Sequence, residues 1–404
     1  MKSLPSIPRG VWVLGFVSLL MDISSEMIHS LLPLYLTVGL GASALVVGII
    51  EGVAESTALV VKLFSGALSD RLRKRKWITA AGYGMAALSK PLFALATGPW
   101  LVFTARFLDR IGKGIRGAPR DALIADLTPK EIRGAAFGLR QSLDTIGAVA
   151  GPLLAMALML AWNDDFRKVF WVAVIPAMLS FLLIAFAVKE PERPSPRPPA
   201  DGLPGQASSP KGEGEIRFDR KTLRALGGLF WGVTIAGAAL TLARFSEAFL
   251  LLRAGNLHLE VAFAPLVLVG MNVVYAATAY PAGRLADRIS PLFLLTAGIA
   301  CLVAANIVLA LATGLPALGA GVLLWGLHMG LTQGLLAAMV AHASPPDLRG
   351  TAFGVFNLVS GVAMLASSVL AGALWHYVSP AATFWAGALL AAASFALTRF
   401  STRV

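Results

Sequence analysis

The sequence predicts an all-α membrane protein in which twelve transmembrane helices form two six-helix bundles. Hydrophobic residues make up 57% of the 404-residue chain and charged residues 14%, whereas a soluble domain carries about 25% charged residues. A membrane-spanning helix needs roughly 20 apolar residues, so about twelve such helices with short loops would occupy this length. An internal repeat, described below, divides these helices into two sets of six.

The composition excludes several classes of function. The single cysteine, Cys301, excludes a disulfide scaffold, a cysteine-based zinc cluster and an iron–sulfur protein. The five histidines are scattered, and the chain contains no phosphate-binding loop or dinucleotide fingerprint. We therefore expect a protein that is not an enzyme and that needs no metal or cofactor.

Apolar runs between turn signals predict the helices in order. The first set lies near 10–37, 43–69, 77–97, 100–125, 135–161 and 168–188, and the second near 225–252, 262–286, 291–313, 315–342, 351–375 and 380–399. Asp22 and Glu26 interrupt the first run, which distinguishes it from a cleavable signal peptide.

Basic residues in the loops predict the orientation. The net charge is +12, and most exposed basic residues lie beside apolar runs, as in membrane topology rather than nucleic-acid binding. The loops after the second, fourth and tenth helices contain Arg71, Arg73, Lys74, Arg75, Lys76, Lys130, Arg133 and Arg349. The exceptions, which lie on the other side of the membrane, are Arg167, Lys168 and Arg253. We expect both termini to be cytoplasmic and the protein to lie in the plasma (inner) membrane as a monomer, with no nucleic-acid partner.

Residues 189–224 interrupt the helical pattern. This segment is rich in proline, glycine and serine with mixed charge, a composition that cannot bury apolar surface. It predicts a flexible cytoplasmic linker between an N-terminal bundle at 1–188 and a C-terminal bundle at 225–404.

The two halves repeat each other. Gly66-Ala-Leu-Ser-Asp70-Arg71 recurs as Gly283-Arg-Leu-Ala-Asp287-Arg288, Arg133-Gly-Ala-Ala-Phe137-Gly138 as Arg349-Gly-Thr-Ala-Phe353-Gly354, and Ser25-Glu26 as Ser246-Glu247. Two six-helix repeats related by an axis along the membrane normal are typical of transporters.

These motifs resemble the major facilitator superfamily over nearly the whole chain. Gly66, Asp70 and Arg71 match that family's signature after the second helix, although Arg73 replaces a usual glycine. The resemblance implies the fold of that family, alternating access, and a gate formed by these residues with Gly283, Asp287 and Arg288. Gly138, Gly147, Gly151 and Pro152 are similar to a motif of antiporters, without its following glycine pair. The last three predict close packing and a kink in a helix that moves during gating.

Acidic residues inside predicted helices are candidates for proton coupling, because ionisable groups in a membrane are costly and usually functional. Asp22 and Glu26 share a helix face, as do Glu51 and Glu55. We predict Glu26 and Glu55, followed by Asp22 and Asp144, as proton carriers. The alternative is that these acids form structural ion pairs, and Arg140 with Asp144 is the most economical such pair.

The fourth predicted helix carries a basic stripe that includes Arg106, Arg110 and Lys113. Lipid would not tolerate this face, so it either lines a cavity for an anionic group, which arginine binds bidentately, or balances the acids of the first two helices. The second half adds candidate cavity residues whose alternative role is structural. The full predicted cavity set is Arg106, Arg110, Lys113, Arg140, Arg244, Glu247, Asn272, His328 and Gln333.

The expected function is alternating-access export of a small anionic or amphipathic compound by proton antiport. Its partners would be that compound, protons and the lipid bilayer. One alternative is proton symport that takes up an anionic nutrient or a metal chelate. Another is a non-transporting membrane receptor or scaffold, which has no use for the gating motifs and mid-helix charges.

The predicted topology can be tested by protease access. A protease site inserted in the 189–224 segment should be cut in inside-out vesicles and protected in intact cells, because the basic loops place this segment in the cytoplasm. The same site inserted in the loop at 162–167 should behave in the opposite way. Cleavage of the 189–224 site in intact cells by external protease would disprove the predicted orientation.

Overall fold

The structure, a computed structural model, describes residues 7–72, 74–188, 190, 220–286, 288–345 and 348–401. Twelve long helices run through these residues, which contain no strand. They are α1 (Arg9–His29), α2 (Ala44–Leu72), α3 (Arg75–Leu95), α4 (Pro99–Leu127), α5 (Arg133–Ala161), α6 (Phe166–Ala187), α7 (Gly227–Ala243), α8 (Pro265–Ala286), α9 (Pro291–Leu311), α10 (Leu315–Ala343), α11 (Arg349–Tyr377) and α12 (Pro380–Ser401). The predicted all-α fold with twelve helices in two sets is confirmed.

Four short helical segments refine the predicted pattern. After α1 the chain continues through Leu32–Leu34 and a π-helical turn at Tyr35–Gly39. The seventh predicted helix, expected as one run, is interrupted after α7 and resumes at Ala248–Asn256. Part of the predicted 189–224 linker is helical, at Arg220–Ala225, and residues 191–219 lie outside the described residues.

Hydropathy alone does not identify every membrane-spanning helix. Within the described residues, nine helices are long and apolar enough to cross a membrane, and α4 is not among them. Three of its charged residues, Arg106, Asp109 and Arg110, are nevertheless protected from lipid, because each is at most 3% exposed. The polar face of α4 is therefore directed toward other helices, which is where membrane proteins place ionisable side chains.

Contacts between helix ends define the two ends of the molecule. Near the start of α1, the position of a Cβ on Gly10 lies 3.1 Å from Leu127 at the end of α4. At the other end of the same helices, the Tyr35 hydroxyl donates a hydrogen bond to the Ala96 carbonyl at 2.8 Å. We call the end where α6 finishes and the second half begins the linker end, and the opposite end the far end.

The apolar core is continuous between the halves at the far end and divided at the linker end. One buried cluster joins Leu31 and Leu34 of the first half to Leu250 and Leu251 of the second. Toward the linker end, a cluster around Val11 and Leu123 belongs to the first half, and a separate cluster around Phe230 and Val355 belongs to the second. Apolar packing therefore seals the halves together at the far end.

Glycine permits the closest approach of α2 and α11 within this seal. A Cβ on Gly372 would lie 2.8 Å from the Ala44 carbonyl oxygen, and one on Gly48 would collide with the Ser368 carbonyl. The backbones touch there, so these two positions exclude any side chain while the seal is closed.

Adding a methyl group at this contact should open the far end. Gly48→Ala would collide with the α11 backbone, at a cost of about 1–3 kcal/mol for overpacking, and favour the conformation in which α2 and α11 separate. The measurement is maleimide labelling of a reporter cysteine at Leu34→Cys in a Cys301→Ser background. Labelling should accelerate several-fold with Gly48→Ala and stay unchanged with Gly319→Ala, where a Cβ meets no heavy atom within 4 Å. Equal labelling rates in both variants would contradict the proposed role of this contact.

Candidate functional site

A cavity of about 210 Å³ lies between the two halves. The first half contributes residues of α1, α2, α4 and α5, and the second half contributes residues of α8, α11 and the break after α7. The lining residues are Glu26, His29, Glu55, Arg110, Lys113, Ala148, Arg244, Phe245, Ser246, Glu247, Asn272 and Met364. The cavity is thus built mainly from ionisable and polar side chains at the centre of an apolar fold.

One buried ion-pair network joins α1, α2 and α4 beside this cavity. The Arg106 Nη2 atom lies 2.7 Å from the Glu51 Oε2 atom and 2.7 Å from the His29 Nδ1 atom. Because a guanidinium only donates hydrogen bonds, the His29 Nδ1 atom is the acceptor and the ring is neutral in this arrangement. Arg106 is therefore committed to its neighbours within the first half.

A second buried pair joins α3 to α4. The Lys90 Nζ atom lies 2.8 Å from the Asp109 Oδ1 atom and donates a 3.0 Å hydrogen bond to the Ser25 hydroxyl of α1. Both charged side chains are at most 3% exposed. Lys90 thereby connects three helices of the first half and neutralises one acid of α4.

Arg110 lies at the border between these networks and the cavity. Its Nη1 atom lies 3.3 Å from the Glu55 Oε1 atom, and its Nε atom lies 3.5 Å from the Asp109 Oδ2 atom. Glu55 is also 3.5 Å from Arg106. For Arg106 and Arg110 the geometry corresponds to charge balance, the alternative to anion binding.

Four other ionisable side chains of the cavity have no such partner. Glu26, Lys113, Arg244 and Glu247 line the cavity, and among the described residues their side chains make no ion pair within 4.0 Å and no hydrogen bond. Lys113 is exposed to the cavity and the other three are half-buried. These are the charges of the site that remain available to a bound molecule.

The break after α7 places Arg244 and Glu247 at the cavity. Arg244 leaves the helical conformation, with φ −110° and ψ 81°, and the next helix begins at Ala248. Although Arg244 and Glu247 are only three residues apart, they are not on a continuous helix and do not pair within 4.0 Å. Ring contacts of Phe245 with Trp325 and Phe384, at centroid distances of 5.4 and 5.6 Å, hold the break in place.

The break also leaves backbone groups without helical partners. Among the described residues, the N–H groups of Phe245 and Ser246 donate no hydrogen bond, whereas those of Phe249 and Leu250 bond to Ser246 and Glu247. Irregular backbone at membrane depth is tolerated where it lines a cavity. Phe245 and Ser246 do line it.

The other acids predicted for proton coupling lie outside the cavity lining. Asp22 is half-buried on α1, and a Cβ on Gly147 of α5 would lie 2.9 Å from its Cβ atom. Asp144 lies 3.2 Å from Arg140, which is also 3.1 Å from Asp121. The network of Asp121, Arg140 and Asp144 joins α4 to α5.

The remaining candidates of the second half are divided between the cavity and the core. Asn272 lines the cavity and donates a 3.4 Å hydrogen bond to the Ala148 carbonyl of α5. His328 is fully buried, its Nδ1 atom lies 2.8 Å from the Gly298 carbonyl of α9, and it is not a lining residue. Gln333 is half-buried and also outside the lining.

The residues implied in gating lie at the linker end and along α5. Gly66, Asp70 and Arg71 belong to the second half of α2, but the side chains of the last two are outside the described residues, as is Asp287. Gly283 and Arg288 are exposed. On α5, Gly147 and Gly151 pack against the α1 backbone at Leu19 and Ile23, and Pro152 is buried beside them.

Sequence reasoning did not place several participants in the site. His29 and Lys90 were available as ionisable residues within predicted helices, a signal that marks functional or paired groups without identifying the partner. Phe245 and Ser246 carry no comparable signal, because their role comes from the backbone break.

Comparisons with known proteins give a consistent family. The chain matches the model of the Major Facilitator Superfamily over residues 14–252 and 229–403. It is 32% identical over 403 residues to an MFS-type transporter of Methanocaldococcus jannaschii, covering 98% of this chain and 95% of the relative. It is 33% identical over 162 residues, 40% of this chain and 39% of the relative, to the multidrug resistance protein MdtH of Photorhabdus laumondii.

A solved structure agrees with the fold. A bacterial homologue of the human lysosomal transporter Spinster, in an inward-facing and occupied conformation, matches with a TM-score of 0.77 and 15% identity. The match covers 100% of this chain and 98% of that one. At this identity the likeness establishes the fold alone.

Removing Lys90 should destabilise the first half. Lys90→Met leaves Asp109 buried with a weaker partner, and breaking a buried pair costs about 3–5 kcal/mol. We expect a clearly lower melting temperature of the purified protein in detergent and partial recovery in Lys90→Met/Asp109→Asn. Lys168→Ala removes an exposed pair, Lys168 being 60% exposed, and should change stability by about 0–1 kcal/mol. Equal effects of Lys90→Met and Lys168→Ala would argue against a structural role for the buried pair.

Proposed function

The chain belongs to the Major Facilitator Superfamily of secondary transporters, and from this premise we propose that it exports a small organic compound in exchange for protons. It is an integral membrane protein with a small-molecule substrate, and its relatives are transporters rather than enzymes. The direction, the coupling ion and the residues involved are the content of the proposal.

The observation that carries the proposal is the unpaired Glu26 carboxyl in the cavity between the halves. A carboxylate without a partner in a membrane interior is costly, and either a proton or a cationic group of a substrate can neutralise it. If the two compete for Glu26, binding of one releases the other. This competition is the basis of antiport.

Other charged groups face the same cavity and influence which acid carries the proton. Arg110, Lys113 and Arg244 are cations of the lining, and Glu55 and Glu247 are its other acids. Glu55 is held by Arg110 and Arg106 at 3.3 and 3.5 Å, so a proton there competes with two guanidinium groups. We therefore rank Glu26 first as proton carrier, with Glu247 as its counterpart in the second half and Glu55, Asp22 and Asp144 in supporting roles.

Close packing of α5 against α1 supports a coupling of this carboxyl to movement. A Cβ on Gly151 would lie 2.9 Å from the Glu26 Cβ atom, so Glu26 lies at the contact between α1 and α5. In the proposed cycle the far-end seal opens while the linker end closes, with Asp70, Arg71, Asp287 and Arg288 acting as the linker-end gate.

Two features support export. One is the partial match to the multidrug resistance protein MdtH, and the other is the similarity of Gly138, Gly147, Gly151 and Pro152 to the antiporter motif. The second candidate, uptake of an anionic nutrient or metal chelate by proton symport, is favoured by the unpaired cations Lys113 and Arg244.

Replacing the proposed proton carrier should separate exchange from coupling. Glu26→Gln imitates the protonated carboxyl permanently, so proteoliposomes should retain substrate exchange but lose accumulation driven by a pH gradient. The substrate for this assay is the best compound from a counterflow screen of anionic, cationic, zwitterionic and neutral molecules. Glu260→Gln, at an exposed position, is the control and should transport normally. Glu247→Gln and Glu55→Gln measure the contribution of the other acids.

The same assay decides the direction and the coupling. Substrate movement in the direction opposite to the proton flow indicates export by antiport. Substrate movement in the same direction as the proton flow indicates uptake by symport. Full gradient-driven transport in Glu26→Gln and in Glu247→Gln would show that the coupling proton uses another group.

A further inference from the structure

We propose that the cavity recognises a small zwitterion, a molecule that carries a cationic and an anionic group at once. This inference rests on the transport role proposed above and specifies the substrate class of the same cavity. It departs from the expectation of an anionic or amphipathic substrate, whose anionic alternative came from the basic stripe of α4.

The charges of the lining carry the inference. Arg110 and Glu55 neutralise each other at 3.3 Å, and His29 is neutral where it accepts a hydrogen bond from Arg106. The remaining ionisable side chains are Lys113 and Arg244, which are basic, and Glu26 and Glu247, which are acidic. The unpaired part of the cavity is therefore balanced, with two groups of each sign.

The two halves share these groups equally. Glu26 and Lys113 belong to the first half, and Arg244 and Glu247 belong to the second half. Glu26 and Glu247 follow Ser25 and Ser246 in matching positions of the internal repeat. Each half consequently presents one acid and one base toward the space where a substrate would sit.

A molecule with one charge would leave part of this set without a partner. An anion can satisfy Lys113 or Arg244, but it leaves Glu26 and Glu247 facing additional negative charge inside the cavity. A cation has the converse effect on Lys113 and Arg244. Since an unpaired charge in such a site is costly, binding is most favourable for a ligand that neutralises both signs.

The break after α7 adds neutral hydrogen-bond donors beside Arg244. Phe245 and Ser246 line the cavity, their N–H groups donate no hydrogen bond among the described residues, and hydrogen bonds to a carboxylate are stronger than those between neutral groups. This favours binding of the anionic group at Arg244 and the break. The cationic group would then be bound by the acids, Glu26 and Glu247.

The size of the cavity limits the zwitterion. Its volume of about 210 Å³ is below the roughly 300–1,000 Å³ of sites for drug-sized ligands. Ala148, Phe245 and Met364 supply apolar wall among the charged groups. The expected ligand is thus a compact molecule of the amino-acid type with a modest apolar part.

Binding of matched probes to the purified protein tests the inference. The probes are ω-amino acids from glycine to 6-aminohexanoate, together with L-phenylalanine, each compared with its N-acetyl derivative, which is only anionic, and its methyl ester, which is only cationic. Affinity is measured by calorimetry in detergent at neutral pH without any gradient. At least one zwitterion should bind about tenfold or more tightly than both of its derivatives, as expected for losing one charged hydrogen-bonding partner.

Charge-removing variants should change this selectivity in opposite directions. Glu26→Gln/Glu247→Gln should reduce the preference for the zwitterion over the N-acetyl derivative, and Lys113→Gln/Arg244→Gln should reduce the preference over the methyl ester. The control is Lys62→Gln/Glu260→Gln, two exposed residues outside the lining, which should leave both ratios unchanged. If a double variant does not fold, the single variants Glu247→Gln and Lys113→Gln test the same shifts, and the wild-type ratios decide independently.

Several outcomes would overturn the inference. They are wild-type binding of an N-acetyl derivative or a methyl ester as tight as that of its zwitterion, no binding by any zwitterion of the series, or selectivity ratios that the charge-removing variants leave unchanged. Failure of the proton-coupled function gives a different result. An anion that binds alone and is driven by a pH gradient removes only the zwitterion inference, whereas a tightly bound zwitterion that no gradient drives removes only the coupling.

Discussion

The cost of placing charge in a membrane is the constraint on which the rest of this structure depends. Lipid cannot solvate the six ionisable side chains from Arg106 to Arg120 along the basic stripe, so α4 must direct them toward other helices or the cavity. Arg106 forms an ion pair with Glu51 and a hydrogen bond with His29, and Asp109 forms an ion pair with Lys90. These pairs connect α1, α2, α3 and α4, so the contacts that neutralise the buried charges also hold these four helices together.

This constraint also separates structural charges from available ones. The ion pairs of Arg106 with Glu51 and of Lys90 with Asp109 are almost completely buried and are each formed within one half. Glu26 and Lys113 belong to the same half but face the cavity without ion-pair partners among the described residues. A group already paired in the resting protein offers little to a ligand, whereas an unpaired group gains from binding one. The arrangement of pairs, rather than the number of charges, is what identifies the site.

The two halves contribute their charged residues to the cavity in different ways. The first half supplies its charges from continuous helices stabilised by buried networks. The second half supplies Arg244 and Glu247 from a break in which Phe245 is held by Trp325 and Phe384. A break frees backbone donors and brings Arg244 and Glu247 to the same cavity without a direct ion pair between them. The far-end seal, with Gly48 and Gly372 in backbone contact, closes one end of the cavity that these halves share.

The sequence alone determined the features that depend on local pattern. Apolar run lengths predicted twelve helices, and the recurrence of Gly66–Asp70–Arg71 predicted two related halves and the family. The pairing of charges was decided only in three dimensions, because it depends on the distance and rotation of helices that are far apart in the chain. Three arrangements were decided in this way. Arg106 lies next to Glu51, His328 is turned toward Gly298 instead of the cavity, and a break separates Arg244 from Glu247. Periodicity assumes an unbroken helix and gives no partner for a buried charge, so the sequence could offer the candidates for the site but only packing could select among them.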